Sequence, residues 1–169
     1  MTKSAVVLGI LHDLQGPRFS CYVDDPSYPL LLKEAMKGID CVFEEASGHS
    51  PSIAEDLAAT ILGAGHYVDI DPSVDERPKY GLPKTTAFGV PVDMWNSADS
   101  YVSMLSDVQG KREELWVKRI AETSFSKAIV IVGVAHCLSV AFRLISAGIG
   151  VESVWGYTPH EKLCKRAHA

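Results

Sequence analysis

Apolar residues along the chain gather into five short, β-branched-rich runs at 5–8, 41–43, 67–70, 128–132 and 151–155, each of strand length and composition. Between them the spacing changes to the helical period and predicts helices over 28–37, 51–62, about 97–123 and 137–147. Ser50 reads as the N-cap of the second helix and Pro51 as its first residue, with Gly63 and Gly65 as the stop. A break in the third is expected at Gly110. Strands alternating with helices imply a parallel sheet covered on both faces, and the continuous apolar run at 128–132 suits a central strand. The expectation is a single domain over 1–169, a three-layer α/β/α fold with a mostly parallel five-stranded sheet. Right-handed crossovers and the common doubly wound arrangement predict strand order 3-2-1-4-5.

One stretch breaks the alternation. Residues 71–95 contain Pro72, Pro78, Pro83 and Pro91 and few helical signals. A loop of that length beside the strand ends is expected to act as a lid or binding loop.

Composition narrows the function classes. The chain is 47% hydrophobic and 22% charged, the balance of a folded globular domain, and no apolar run reaches membrane-spanning length. The short Val-rich run after Met1-Thr2-Lys3-Ser4 lacks a signal-peptide pattern. Cys21, Cys41, Cys137 and Cys164 are scattered without a C-x-x-C pair, so neither a disulfide framework nor a cysteine zinc site is indicated and a cytoplasmic location is expected. A net charge of −5 argues against nucleic acid or an anionic membrane as partner. Nine carboxylates lie between Asp40 and Glu76 with no Lys or Arg among them. Such a run is usually a solvated surface, but carboxylates that converge within it would favour a bound cation.

Ligands of open parallel α/β sheets bind at the carboxyl ends of the strands. Strand one ends in Gly9-Ile10-Leu11-His12, strand two in Glu44-Glu45, strand three in Asp69-Ile70-Asp71 and strand four in Gly133-Val134-Ala135-His136. With strands one and four adjacent, His12 and His136 face each other across the switch-point crevice. Glu44 or Glu45 then arrives from strand two, and Asp69 and Asp71 lie further out. The two glutamates point to opposite faces in strand geometry, and the reading favours Glu44. Arg112 and Glu113, on the long helix before strand four, fall level with the same rim at 1.5 Å per residue. Either imidazole could serve as general base or metal ligand. His49, just past the glutamates, is the best supporting ligand. Trp116 reads as core, Cys137 as a buried inert thiol, and His66, His160 and His168 as structural or incidental.

The paired G-x-x-H motifs, the acidic pair after strand two and the Arg-Glu pair before the second motif resemble the superfamily of Tiki and TraB proteins, erythromycin esterases and ChaN-type haem-binding proteins. A narrower resemblance, carried by Arg112-Glu113-x-x-Trp116-x-x-Arg119-Ile120, is to uncharacterised bacterial proteins with the same helix. Known members of the superfamily include a metal-dependent protease, esterases and a haem binder, so the resemblance implies no single substrate.

Residues and resemblance together lead to the expectation of a hydrolase for an ester, amide or peptide bond, with His12, Glu44, Glu45, Arg112, Glu113 and His136 at its centre. In a metal-dependent form His12, His136 and Glu44, aided by His49, hold a divalent ion such as zinc or manganese. In a metal-free form a histidine activates water while Arg112 stabilises the oxyanion. The alternative is a non-catalytic module that binds haem or another small ligand at the same rim. The expected partners are a small-molecule or peptide substrate and a second copy of the chain in a homo-oligomer.

Overall fold

The structure is a computed structural model describing residues 2–16, 24–46, 51–83 and 98–159, with side chains of the last segment from 106 on. Five strands, β1 (Ser4–Ile10), β2 (Cys41–Glu44), β3 (Tyr67–Asp69), β4 (Lys127–Gly133) and β5 (Gly150–Tyr157), alternate with four α-helices. These are α1 (Ser27–Ala35), α2 (Ile53–Ile61), α3 (Ala98–Glu122) and α4 (Cys137–Ser146). All strand pairs are parallel, and the alternating sequence pattern produces the three-layer α/β fold it implies. One helical layer, α1 and α2, packs Tyr28, Leu32, Met36, Ala54 and Ala58 onto Leu8, Ile10, Val42, Ile129 and Ile131. The other, α3 and α4, packs Trp116, Ile120, Val140 and Leu144 onto Val7, Phe43, Val130 and Val132. Adjacent residues of one strand thus go to opposite layers, as the pleat requires.

The strand order is β3-β2-β4-β1-β5, where 3-2-1-4-5 was the expectation. β1 and β4 are neighbours in both arrangements, but β4 is inserted between β1 and β2. Crossovers on both faces can be right-handed in either order, and both strands carry continuous apolar runs, so periodicity does not distinguish them. The consequence is local. The end of β2 lies against the end of β4, where Glu45 N–H extends the ladder to Ile131 O at 2.9 Å.

Three other boundaries depart from the sequence reading. Ser52, not Ser50, caps α2. Its backbone is extended and its hydroxyl accepts the Glu55 N–H at 3.0 Å, with Glu55 and Asp56 in the first turn opposing the helix dipole. Pro51 therefore precedes the helix. α3 runs through Gly110 without a break; a glycine in a helix costs about 1 kcal/mol relative to alanine, less than the burial of Leu115, Trp116 and Ile120 returns. The long loop begins as packed structure. Arg77–Tyr80 form a 3-10 turn closed by Gly81 at φ 67°, with Arg77 and Leu82 buried. Residues 84–97, the remainder of the expected lid, lie outside the described residues. No helix among the described residues is long and apolar enough to cross a membrane.

Candidate functional site

Each G-x-x-H glycine makes room for the other motif. A Cβ on Gly133 would stand 2.8 Å from His12 Nε2, so the imidazole of the first motif rests on the backbone of the second. A Cβ on Gly9 would stand 3.0 Å from Cys137 Cβ and 3.1 Å from Val134 Cα, so the turn and helix start of the second motif press on β1. Neither glycine has a positive φ; the requirement is space alone. His136 N–H donates to Gly133 O at 2.8 Å, closing a turn whose first and fourth Cα atoms lie within about 7 Å. The motifs therefore interlock at one point on the rim.

The surroundings fix the tautomer of both histidines. Gln15, fully buried, donates its amide to Glu44 Oε1 at 2.8 Å and to the Glu45 carbonyl at 2.9 Å. A carbonyl can only accept, so the Gln15 oxygen must be the atom turned to His12 Nδ1, 2.7 Å away. His12 then carries its proton on Nδ1 and its lone pair on Nε2. His136 Nδ1 donates to Glu113 Oε1 at 2.7 Å, and its ring packs edge-on against Trp116 with centroids 5.1 Å apart. Ser139 Oγ and Arg143 Nε also donate to Glu113. Burial works to raise the pKa of Glu113, but the bonds from His136 and Ser139 and the charges of His136 and Arg143 outweigh it and hold the carboxyl below its ordinary value. Glu113 is thus an acceptor, so when the His136 ring is neutral its lone pair also resides on Nε2. One histidine is only 7% exposed, while the His12 side chain is 41% exposed.

Between the histidines lies a buried set of charges. Glu45 Oε1 accepts from Arg112 Nη2 at 2.7 Å and stands 3.7 Å from His12 Nε2, while its Oε2 accepts the Gly133 N–H at 2.9 Å. Arg112 Nε, Arg77 Nη2 and Trp116 Nε1 all donate to Asp71, at 3.1, 2.8 and 2.9 Å. The Arg112 guanidinium also lies over the Trp116 ring, 4.9 Å from its centroid. Desolvation would depress the Arg112 pKa, but Asp71 and Glu45 reverse this and raise it. Carboxylates from the acidic third of the chain do converge here, and arginines answer them.

Glu44 belongs elsewhere. It pairs in register with Ile131 and so faces the α1–α2 layer, where Gln15, Ser52 and Tyr67 all donate to it. Burial raises its pKa, and those three hydrogen bonds only partly offset the rise. Gln15 separates it from His12. The glutamate that reaches His12 is Glu45, which corrects the preference for Glu44, and a metal set of His12, His136 and Glu44 does not fit this arrangement. Among the described residues no group of three or more His, Cys, Asp or Glu is placed to hold a metal ion. His49 lies outside the described residues, as do His160, His168, Cys21 and Cys164. His66 sits at the opposite rim with Nδ1 2.7 Å from Asp40 O, Trp116 is fully buried, and Cys137 is a buried free thiol.

Gln15, Arg77 and Ser139 join the site without being expected from the sequence, and Asp71, expected to lie further out, joins it too. Two signals were available. Gln15 and Ser139 each follow a motif histidine by three residues, one helical turn. Arg112 and Trp116 stand four apart on α3, so one acceptor can engage both. Comparison with protein families, with curated proteins and with solved structures yields no match.

Proposed function

We propose that the protein is a hydrolase acting on a carbonyl-containing bond, an ester, amide or peptide, at the rim where the two G-x-x-H motifs interlock. The observation that carries this reading is the matched setting of the histidines: each has Nδ1 held by a buried partner, Gln15 or Glu113, which leaves Nε2 as the basic atom of the neutral ring. A general base needs that arrangement. His12, the more exposed ring, takes a proton from water on Nε2 as the oxygen attacks the substrate carbonyl. The same Nε2–H then returns the proton to the leaving group, so no net proton is lost. Arg112 has N–H groups beyond the two held by Asp71 and Glu45, and these would stabilise the oxyanion. His136 Nε2 accepts a hydrogen bond from the substrate. The resemblance to esterases supports the same reaction class.

The test is a panel of esters, amides and peptides with wild type, His12→Ala, His136→Ala and Gln15→Leu. His12→Ala is expected to abolish turnover, and Gln15→Leu to lower kcat by about 10²-fold through the misplaced ring. A panel left equally untouched by wild type and His12→Ala would overturn the proposal.

A further inference from the structure

α4 has two unlike flanks. Its buried face holds Cys137, Val140, Ala141 and Leu144. On one flank Ser139 and Arg143 reach Glu113 of α3. On the other, Leu138, Phe142 and Ile145 stand at helical spacing, 63%, 70% and 55% exposed. α4 lies against β1 and β5, and α3 occupies its inner side, so this apolar flank faces the outer edge of the sheet. That edge is β5, which pairs only with β1 among the described residues. Val154, in register with the core residue Val7, adds to the flank on the α4 side; Trp155, in register with Leu8, is half-exposed on the opposite face. Val134, also exposed, lies against Gly156 of β5 and carries the patch toward the histidine rim.

We infer that a second copy of this chain covers this surface, its β5 pairing antiparallel with the first across a two-fold axis perpendicular to the sheet. Three observations select that occupant. Natural edge strands are usually blunted by lysine, proline, a projecting charge or a bulge. β5 bulges only near its start, at Glu152, the one charge on the eight-residue strand; that side chain is turned back onto Ser4 and Lys127, which leaves residues 153–157 as a regular uncharged edge. Such a two-fold also keeps both copies of α4 on the same face of a continuous ten-stranded sheet, so the Leu138–Phe142–Ile145 flank meets itself, as an isologous contact demands. The area is of the right order. At about 200 Å² per large apolar side chain, Leu138, Phe142, Ile145, Val154 and Trp155 leave on the order of 500 Å² exposed per copy. Backbone and rim of β5 would bring this toward the ~800 Å² per partner of a stable interface.

Sedimentation equilibrium of the full chain tests this. Wild type is expected to be a dimer. Phe142→Glu, at a position too exposed to disturb folding, should weaken it at least about 30-fold, as loss of a central aromatic anchor does. Val154→Pro, which removes an outward-facing N–H from the edge strand, should also yield monomer. Ile61→Glu, an exposed apolar position on α2 at the far side of the sheet, should leave the dimer intact. Circular dichroism of each variant verifies that it is folded. A wild type that is monomeric at every loading concentration overturns the inference, as does a dimer unaffected by Phe142→Glu. A dimer that Ile61→Glu dissociates places the interface elsewhere and overturns it equally.

Discussion

Replacing Gly133 with alanine adds one methyl group where the two motifs meet. The new Cβ would lie 2.8 Å from His12 Nε2 and 3.4 Å from both His12 Cε1 and Glu45 Oε2, so the imidazole must move by several tenths of an ångström at least. The backbone itself raises no objection, since Gly133 is in β4 and lacks a positive φ. Overpacking costs about 1–3 kcal/mol in a closed core. The displaced ring is 41% exposed on its side chain and can swing outward, which puts the cost at the low end. Restricting the unfolded chain returns about 0.4–1 kcal/mol. The net loss should be within about 1 kcal/mol, a Tm change of roughly 2–4 °C or less for a chain of this size. Yet swinging the ring breaks the 2.7 Å bond to Gln15, and with it the restraint on the tautomer. Thermal melts combined with histidine ¹⁵N NMR separate the two effects. Near-wild-type stability with an altered His12 signal is expected; unchanged His12 nitrogens in a folded Gly133→Ala protein would refute the interlocking of the motifs.

Two further outcomes follow from the buried charges. Asp71→Asn removes the negative charge that Arg77 and Arg112 share in a buried setting, and denaturant titration should show a loss of about 3–5 kcal/mol; a loss under about 1 kcal/mol would mean that solvent already screens the arginines. Glu44 has its pKa raised in the folded state, so folding binds a proton and wild-type stability falls as pH rises from the ordinary carboxylate range toward that raised value. Glu44→Gln has no such term, and its stability relative to wild type should improve with pH across that window; a difference independent of pH contradicts the assignment.

The elements were legible because their signals are local. Runs of β-branched residues set all five strands, and helical periodicity set four helices to within a residue or two. Which strand lies beside β2 was not, because β1 and β4 present equally apolar faces and either order buries them. That one choice decided the site's details. With β4 beside β2, Glu45 reaches the Gly133 N–H and Arg112, and Glu44 turns into the opposite layer. The alternation of the pleat separates the two glutamates but does not say which layer holds an arginine. Asp71 was set aside on strand position alone, although an arginine side chain spans the gap from α3 and a second arginine, Arg77, follows six residues later. The long loop misled for the opposite reason: its prolines mark the absence of regular structure, not the absence of packing, and Arg77 and Leu82 are buried within it.

The central claim is that both motif histidines are held as the Nδ1–H form with Nε2 as the basic atom. Long-range ¹H–¹⁵N correlation of the neutral protein, with His12→Ala and His136→Ala to assign the signals, reads this directly. A protonated Nδ1 and an unprotonated Nε2 are expected for both rings, with Gln15→Leu altering only His12 and Glu113→Gln only His136. An Nε2–H form of either ring in the wild-type protein would contradict it.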